Sequence, residues 1–474
     1  MDLLLFLQIL TLVFGFYMAW NIGANDVANA MGTSVGSKAL TLRKAVVLAA
    51  ILEFSGAFFV GSTVSETIQK GIVNPEIFEY NPLVFVTGML GALLATGLWL
   101  QLASYFGLPV STTHAIVGAV IGFGAVIGGV HAVHWMEVLS ISFSWVLSPL
   151  LSGFLSYLLF SLLQRKIFFS LRPVDEARKI VPFLAFFCFT IFLLSILYEG
   201  LSNLHLHLNF PRALFFSCCF GILAFFVYSV LLRKLALKQT PENTPKISPQ
   251  HMISLEKAAK HLRRVQLNSE GELHDSANDA LKQVHELREK IKKEASFEQN
   301  YHPYHQVEKI FVYLQVISAS LVAFAHGAND VANAIGPVAA IVEVLRTQIV
   351  TQNTAIPSWL LAFGGVGIVV GLATWGWRVI ETIGKKITEL TPTRGFCAEF
   401  GAAATILLAS KMGMPISTTH SLVGAVLGVG LARGLRAINL RTLRDIALSW
   451  IVTIPICAVL SIILFFIINF FVKS

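Results

Sequence analysis

The sequence predicts an all-α integral membrane protein with about 12 transmembrane helices, in two inverted-topology repeats with broken helices at the midplane. Three observations predict it. Of 474 residues, 55% are hydrophobic and 13% charged, with mean hydropathy +0.70, whereas soluble domains carry about 25% charged residues. Apolar runs of the length that crosses a ~30 Å hydrocarbon layer recur along the whole chain. Two polar strings each occur twice. This composition excludes collagen, disorder and a disulfide scaffold. The five cysteines (Cys188, Cys218, Cys219, Cys397 and Cys457) all lie in apolar runs, where a thiol behaves as a small hydrophobe. With no CxxC pair, neither disulfides nor a zinc site are expected.

The predicted spans lie near 2 to 22, 45 to 64, 82 to 104, 109 to 131, 138 to 162, 180 to 198, 211 to 232, 309 to 327, 357 to 377, 396 to 411, 414 to 432 and 446 to 471. The first run lacks a basic flank and a small-residue cleavage site and reads as a retained helix, not a signal peptide. An N-terminus outside puts Lys38, Arg43, Lys44, Arg165, Lys166, Arg172, Arg178, Lys179, Arg378, Lys385, Lys386, Arg394, Arg433, Arg436, Arg441 and Arg444 on the cytoplasmic side. The outer loops then hold mainly Glu66, Lys70, Glu76, Glu79, Glu137, Glu199, Arg212, Glu343, Arg346 and Lys411. That one choice satisfies the positive-inside bias in every short loop and places both termini outside. It also accounts for the formal charge of +8 without a nucleic-acid partner. Residues 1–232 form a first membrane repeat plus extra helices, and 309–474 a second. Between them, 233–308 is a cytoplasmic charged insert with helical spacing at Leu255, Ala258, Leu262, Leu281, Val284 and Leu287. It reads as a helical linker between the halves, with a regulatory or docking role as the alternative.

The segment 107–124, GLPVSTTHAIVGAVIGFG, matches 413–430, GMPISTTHSLVGAVLGVG, at twelve of eighteen positions. GANDVANA occurs intact at 23–30 and at 327–334. The offsets are 327 − 23 = 304 and 413 − 107 = 306, and Trp145 and Trp450 keep the register at 305. One unit has been duplicated. Seven predicted crossings, an odd number, separate the two copies, so they run oppositely through the membrane. Inverted repeats with polar interruptions are the mark of secondary transporters, whose site lies near the midplane between the copies.

Asp26 and Asp330 each follow a long apolar run, where an ionised carboxylate is costly unless it faces a cavity or holds a cation. Asn25, Asn29, Asn329 and Asn333 flank them. On a helix, Asn25 and Asn29 share one face with Asp26 beside it, presenting oxygens of the type a hard cation needs. The alternative is interhelical polar glue. Gly23 and Gly327 allow unwinding or a close backbone approach. In LPVSTTH and MPISTTH, Pro109 and Pro415 disfavour helix before them. A helix is expected to restart after each, with Ser111 or Thr112, and Ser417 or Thr418, as N-cap. A helix N-terminus in a low-dielectric medium, joined by the hydroxyls of Thr113 and Thr419, makes an anion site without arginine. The alternative is a proline kink whose hydroxyls bond back to their own turn. His114 and His420 follow directly and act as structural hydrogen-bonders or as groups that titrate near neutrality. Glu53 and Glu399 are two further acids in apolar runs, out of register because 399 − 53 = 346, and are candidates for the transport path. An anion beside Asp26 or Asp330 is repelled by about 4 kcal/mol at 4 Å and an effective dielectric of 20, which a bound cation removes. Coupled entry of an oxyanion with cations follows.

The paired GANDVANA strings, the paired P-x-S-T-T-H strings and the basic central loop resemble the inorganic phosphate transporter (PiT) family of sodium- or proton-coupled phosphate permeases. The resemblance covers residues 1–235 and 308–474. It implies that Asp26 and Asp330 bind coupling cations and that Ser111, Thr112, Thr113, Ser417, Thr418 and Thr419 hold phosphate. Glu53 and Glu399 look like intramembrane glutamates that transport requires. No cofactor is implied beyond sodium ions or protons, and the location implied is the plasma (inner) membrane. Competing readings are symport of another oxyanion such as sulfate, a membrane phosphotransferase using Ser111, His114 and Asp26, and a phosphate-sensing receptor. Against the phosphotransferase, Gly384-Lys385-Lys386 lacks the spacing and hydroxyl of a P-loop.

The orientation has a direct test: single cysteines at Ser37, Asn74, Ser170, Asn203, Ser269 and Ser474, in a background stripped of the native five, probed with an impermeant thiol reagent. Labelling from outside is expected at Asn74, Asn203 and Ser474 only. Outside labelling at Ser269 would remove the inverted arrangement.

Overall fold

The computed structural model describes residues 3–70, 72–200, 208–234, 249–297, 303–350, 356–377, 379–380, 390–434 and 440–473. Its helices are α1 (Leu3–Gly36), α2 (Leu42–Val60), α3 (Ser62–Lys70), α4 (Pro82–Tyr105), α5 (Thr112–Ile127), α6 (Trp135–Leu163), α7 (Pro173–Ser195) and α8 (Phe210–Lys234) in the first half. The insert holds α9 (Pro249–Leu267) and α10 (Glu272–Phe297), packed on each other. The second half holds α11 (Pro303–Thr347), α12 (Ser358–Trp375), α13 (Pro392–Lys411), α14 (Thr418–Arg433) and α15 (Leu440–Lys473). Pro82, Pro173 and Pro392 open their helices at the first turn, where the missing N–H costs nothing. Pro149, Pro182, Pro337 and Pro455 lie inside helices, as neighbouring helices in a membrane allow.

Each predicted apolar run falls on a helix, but twelve crossings are not found. Among the described residues, eight helices are long and apolar enough to span, or nine if α2 and α3, bent by 69° at Gly61, form one span. The difference lies at the proline-hydroxyl segments. α5 and α14 have 16 residues each, about 24 Å at 1.5 Å per residue. Each is the short return arm of a hairpin. Asn74 N–H bonds to Ala132 O (2.8 Å) and His134 N–H to Ile72 O (3.0 Å). Phe78 stacks on Phe123 and meets Phe85 at a tilt. The start of α4 and the end of α5 therefore share one face of the protein, here face A. In the second hairpin, Gly401 of α13 and Gly428 of α14 both abut the Gly153–Ser156 stretch of α6. Thr393 at its base bonds to Glu308 near the start of α11, on the opposite face B.

A hairpin replaces two crossings with none, so the sidedness of every later loop is preserved. With α2 and α3 as one span and α4 as a hairpin arm, the chain runs from face A through α1, α2, α6, α7, α8, α11, α12 and α15 and returns to face A. Five crossings, still an odd number, separate the copies. The aspartate helices accordingly run antiparallel: Gly15 meets Val338, Asp26 lies by His326 and Asp330, and Ser37 Oγ bonds to Gln315 Oε1 at 2.7 Å. Broken helices are present, but at the hairpins. α1 and α11 pass Gly23 and Gly327 unbroken. Those glycines serve close approach instead: a Cβ at Gly23 would lie 1.9 Å from Ile368 O, and at Gly327 2.1 Å from Glu53 O.

The repeats interlock. α6, from the first copy, backs the hairpin of the second; a Cβ at Gly428 would lie 2.0 Å from Gly153 O. α15, from the second copy, backs the hairpin of the first, with Gly118 against Ile454 and Gly122 against Ala458. Small residues let the backbones touch, the packing that holds helices together where lipid offers no hydrophobic drive. The two hairpin tips overlap in the interior. Thr113 Oγ1 donates to Ile416 O (2.9 Å) and Thr419 Oγ1 to Val110 O (3.3 Å).

Candidate functional site

Each hairpin tip is built the same way. α4 ends on Gly107 at φ +65° and α13 on Gly413 at φ +66°, a left-handed position that favours glycine. Leu108 N–H bonds to Ala103 O and Gly107 N–H to Ser104 O; Met414 and Gly413 repeat the pair with Ala409 and Ser410. This double bond pattern closes the orphan carbonyls of a helix end. After Pro109 and Pro415 the chain restarts as helix, with serine as the N-cap in both copies: Ser111 Oγ accepts from His114 N–H and Ser417 Oγ from His420 N–H, each at 3.2 Å. The first intrahelical bonds are Ala115 N–H to Ser111 O and Ser421 N–H to Ser417 O. The amides of Thr112, Thr113, Thr418 and Thr419 precede them and have no intrahelical acceptor. Two buried helix N-termini thus converge, with threonine hydroxyls beside them.

The aspartate helices lie against these tips. Asn25 Nδ2 donates to Ser104 Oγ (2.9 Å) and Leu108 O (3.2 Å), and Asn329 Nδ2 to Ser410 Oγ (3.0 Å) and Met414 O (3.3 Å). Carbonyl oxygens only accept, so these bonds fix which end of each amide faces the tip. Asn29 and Asn333 reach across to the other copy. Asn29 Nδ2 donates to Thr419 Oγ1 (2.8 Å) and Asp26 Oδ1 (3.2 Å), and Asn333 Nδ2 to Thr112 Oγ1 (3.2 Å) and Thr113 Oγ1 (3.3 Å). Thr418 Oγ1 donates to Asp330 Oδ2 at 2.7 Å. With every amide nitrogen committed, the oxygens are left over. Oδ1 of Asn25, Asn29, Asn329 and Asn333, with Asp26 Oδ2 and Asp330 Oδ1, are buried and accept no hydrogen bond among the described residues. Buried acceptors without donors cost about 1–3 kcal/mol each. A cation satisfies them.

His326 is the site residue that sequence reasoning missed. Its Nε2 lies 3.0 Å from Asp330 Oδ2 and 3.9 Å from Asp26 Oδ2, and its Nδ1 3.3 Å from Glu53 Oε1. Ligand atoms of Asp26, His326 and Asp330 all fall within 4.8 Å of one another. The available signal was an asymmetry: immediately before GANDVANA one copy has Ile22 and the other His326. At 4.8 Å two ionised carboxylates repel by about 3.5 kcal/mol at an effective dielectric of 20. Paired carboxylates and unpaired oxygens together make this a candidate cation site.

The other predicted residues separate into two places. Glu53 joins the His326 cluster. Glu399 does not: it accepts from Thr33 Oγ1 (2.5 Å), Ser34 Oγ (2.7 Å), Gln315 Nε2 (3.1 Å) and Ser318 Oγ (2.5 Å), tying α13 to α1 and α11. Ser104, Ser410, Thr33, Ser34, Gln315 and Ser318 are further partners that no motif marked. His114 and His420 pack behind the tips. His420 Nδ1 lies 3.1 Å from Trp145 O and His114 Nδ1 3.5 Å from Trp450 O, and each ring also packs on a tryptophan of α6 or α15. The two imidazoles meet edge to face at 4.5 Å.

Comparison with known proteins agrees with this geometry. The model of the phosphate transporter family, PHO4, matches residues 22–461. The chain is 45% identical to the Arabidopsis thaliana chloroplastic inorganic phosphate transporter 2-1, over 96% of this chain and 70% of that one. It is 46% identical to a Chlamydia pneumoniae protein bearing a phosphate-permease name, over 97% and 98% of the two chains. Among solved structures it is similar to the sodium-dependent phosphate transporter, with TM-score 0.80, 36% identity and coverage of 98% and 99%.

Proposed function

We infer, from a chain that belongs to the phosphate transporter family, how its site performs cation-coupled phosphate uptake. The protein is a multi-pass membrane transporter and not an enzyme. Phosphate sits between the two hairpin tips, accepting from the first amides of α5 and α14, from the hydroxyls of Ser111, Thr112 and Ser417, and from those of Thr113, Thr418 and Thr419 once they turn from their present acceptors. No arginine is needed, because helix N-termini carry the positive end of the peptide dipole. Asp26 and Asp330, with the four asparagine oxygens, hold the coupling cations beside it.

Sodium is the proposed coupling ion. The observation that carries this is the set of unpaired amide oxygens at Asn25, Asn29, Asn329 and Asn333. An amide oxygen is a poor base near neutrality and gains nothing from a proton, but it is a hard ligand of the kind hard cations take. The alternate-access step would carry each hairpin relative to the scaffold helix of the other copy, with Glu399 linking α13 to the aspartate helices. The proposed orientation puts face B, and with it the insert 233–308, in the cytoplasm, in the plasma (inner) membrane. Basic loops at Lys38, Arg172 and Arg433 on that face support it.

Asp26→Asn and Asp330→Asn should each abolish sodium-driven phosphate uptake into proteoliposomes while the protein stays folded in the bilayer, because the isostere keeps shape and loses the charge. Wild-type ion dependence in either variant would sink the cation assignment. A proton gradient alone, with no sodium, should drive no uptake by the wild type.

Thr112→Val and Thr418→Val should raise the half-saturating phosphate concentration about tenfold to a hundredfold, since a hydrogen bond to a charged group contributes roughly 1.5–3 kcal/mol. Unchanged affinity in both variants would assign these hydroxyls to holding the asparagine and aspartate side chains alone.

A further inference from the structure

α7 and α8 stand between the two repeats and have no counterpart in the second. α7 packs on α11, the helix that carries Asp330, while α8 packs chiefly on α7. Most of α8 is exposed, including Phe215, Phe216, Phe220 and Phe226. At the face-B end of this pair lies a cleft of about 400 Å³. Its walls combine two chemistries. Arg178, Lys179 and Arg233 supply three cationic groups, and Phe183, Phe225 and Leu232 an apolar floor.

No carboxylate lines the cleft among the described residues. Asp175 and Glu176, in the first turn of α7, lie outside the lining, and Glu176 pairs with Lys179 at 2.7 Å. Arg178 Nε is buried and has no acceptor among the described residues. A buried guanidinium nitrogen without an acceptor calls for an anion. Aromatic and aliphatic walls that continue onto the lipid-facing surface of α8 call for a hydrocarbon chain attached to it.

We propose that this cleft binds an anionic glycerophospholipid, its phosphate held by Arg178 and Arg233 and the upper part of an acyl chain lying on Phe183 and Phe225. Basic pockets between helices at the cytoplasmic boundary are suited to such headgroups. The shared chemistry, a phosphate ester or a free phosphate ion, gives two sources for the anion. The apolar floor favours the lipid. Binding there joins the outlying pair α7 and α8 to the leaflet and, through α7, supports α11. The site rests on its own residues and shares none with the transport site.

The test is lipid titration of the detergent-purified full chain, read by native mass spectrometry, with phosphatidylglycerol, phosphatidylcholine and inorganic phosphate as separate probes. Phosphatidylglycerol should bind in preference to phosphatidylcholine and should not be displaced by millimolar inorganic phosphate. The double variant Arg178→Gln with Arg233→Gln should bind phosphatidylglycerol roughly thirtyfold more weakly, from about a kcal/mol per arginine. Arg178→Lys with Arg233→Lys should keep most of the affinity, and its melting temperature reports whether loss of charge or loss of fold is responsible. Equal binding of the two lipids, equal binding by the glutamine variant, or displacement by inorganic phosphate would each overturn the lipid assignment.

Discussion

Two aspartates buried together in a membrane protein set the terms for everything around them. Asp26 and Asp330 come from helices that cross in opposite directions, and their carboxylate oxygens lie within 4.8 Å of a shared histidine and of each other. The aspartates are wholly buried, so water cannot screen the repulsion. The asparagine amides around them donate to hydroxyls, backbone carbonyls or Asp26, while their own oxygens accept no hydrogen bond among the described residues. What remains is a surplus of oxygen. In the proposed mechanism cation binding discharges that surplus, so that the neighbouring pair of helix N-termini presents a field that an anion can enter.

The hairpins make this field possible. A helix that crossed the bilayer unbroken would bring its N-terminus to the surface, where water masks the dipole. Breaking it with a left-handed glycine, a proline and a serine cap brings two N-termini into the interior, where low dielectric preserves their effect. Exchange of backing helices between copies, α6 under one hairpin and α15 under the other, gives each tip a partner of opposite origin. A rocking motion of one unit against the other can then move the sites together.

Much of this was legible in the sequence because duplication marks function against a background of apolar filler. The aspartate strings and the proline-hydroxyl strings could both be read from residue type and spacing. The hairpins could not, since the arms α4 and α13 are long enough to pass as crossings and the returns show in contacts between segments far apart in sequence, such as Asn74 with Ala132 and Gly401 with Ser156. His326 carries no repeat signal, because it stands where the copies differ, opposite Ile22. The donors to Glu399 come from α1 and α11, hundreds of residues or tens of residues away, so no local pattern announces them. The insert's two helices followed the predicted periodicity and pack on each other.

Equilibrium binding of phosphate to the purified protein, measured by titration calorimetry across sodium concentrations, tests the central claim most directly. If buried oxygens must be neutralised before the anion enters, phosphate affinity rises with sodium, and sodium affinity rises with phosphate by the same factor, as linkage requires. The factor should be at least about tenfold, since about 4 kcal/mol of repulsion between the anion and a carboxylate 4 Å away is at stake. Phosphate affinity that stays constant from sodium-free buffer to saturation would contradict the account.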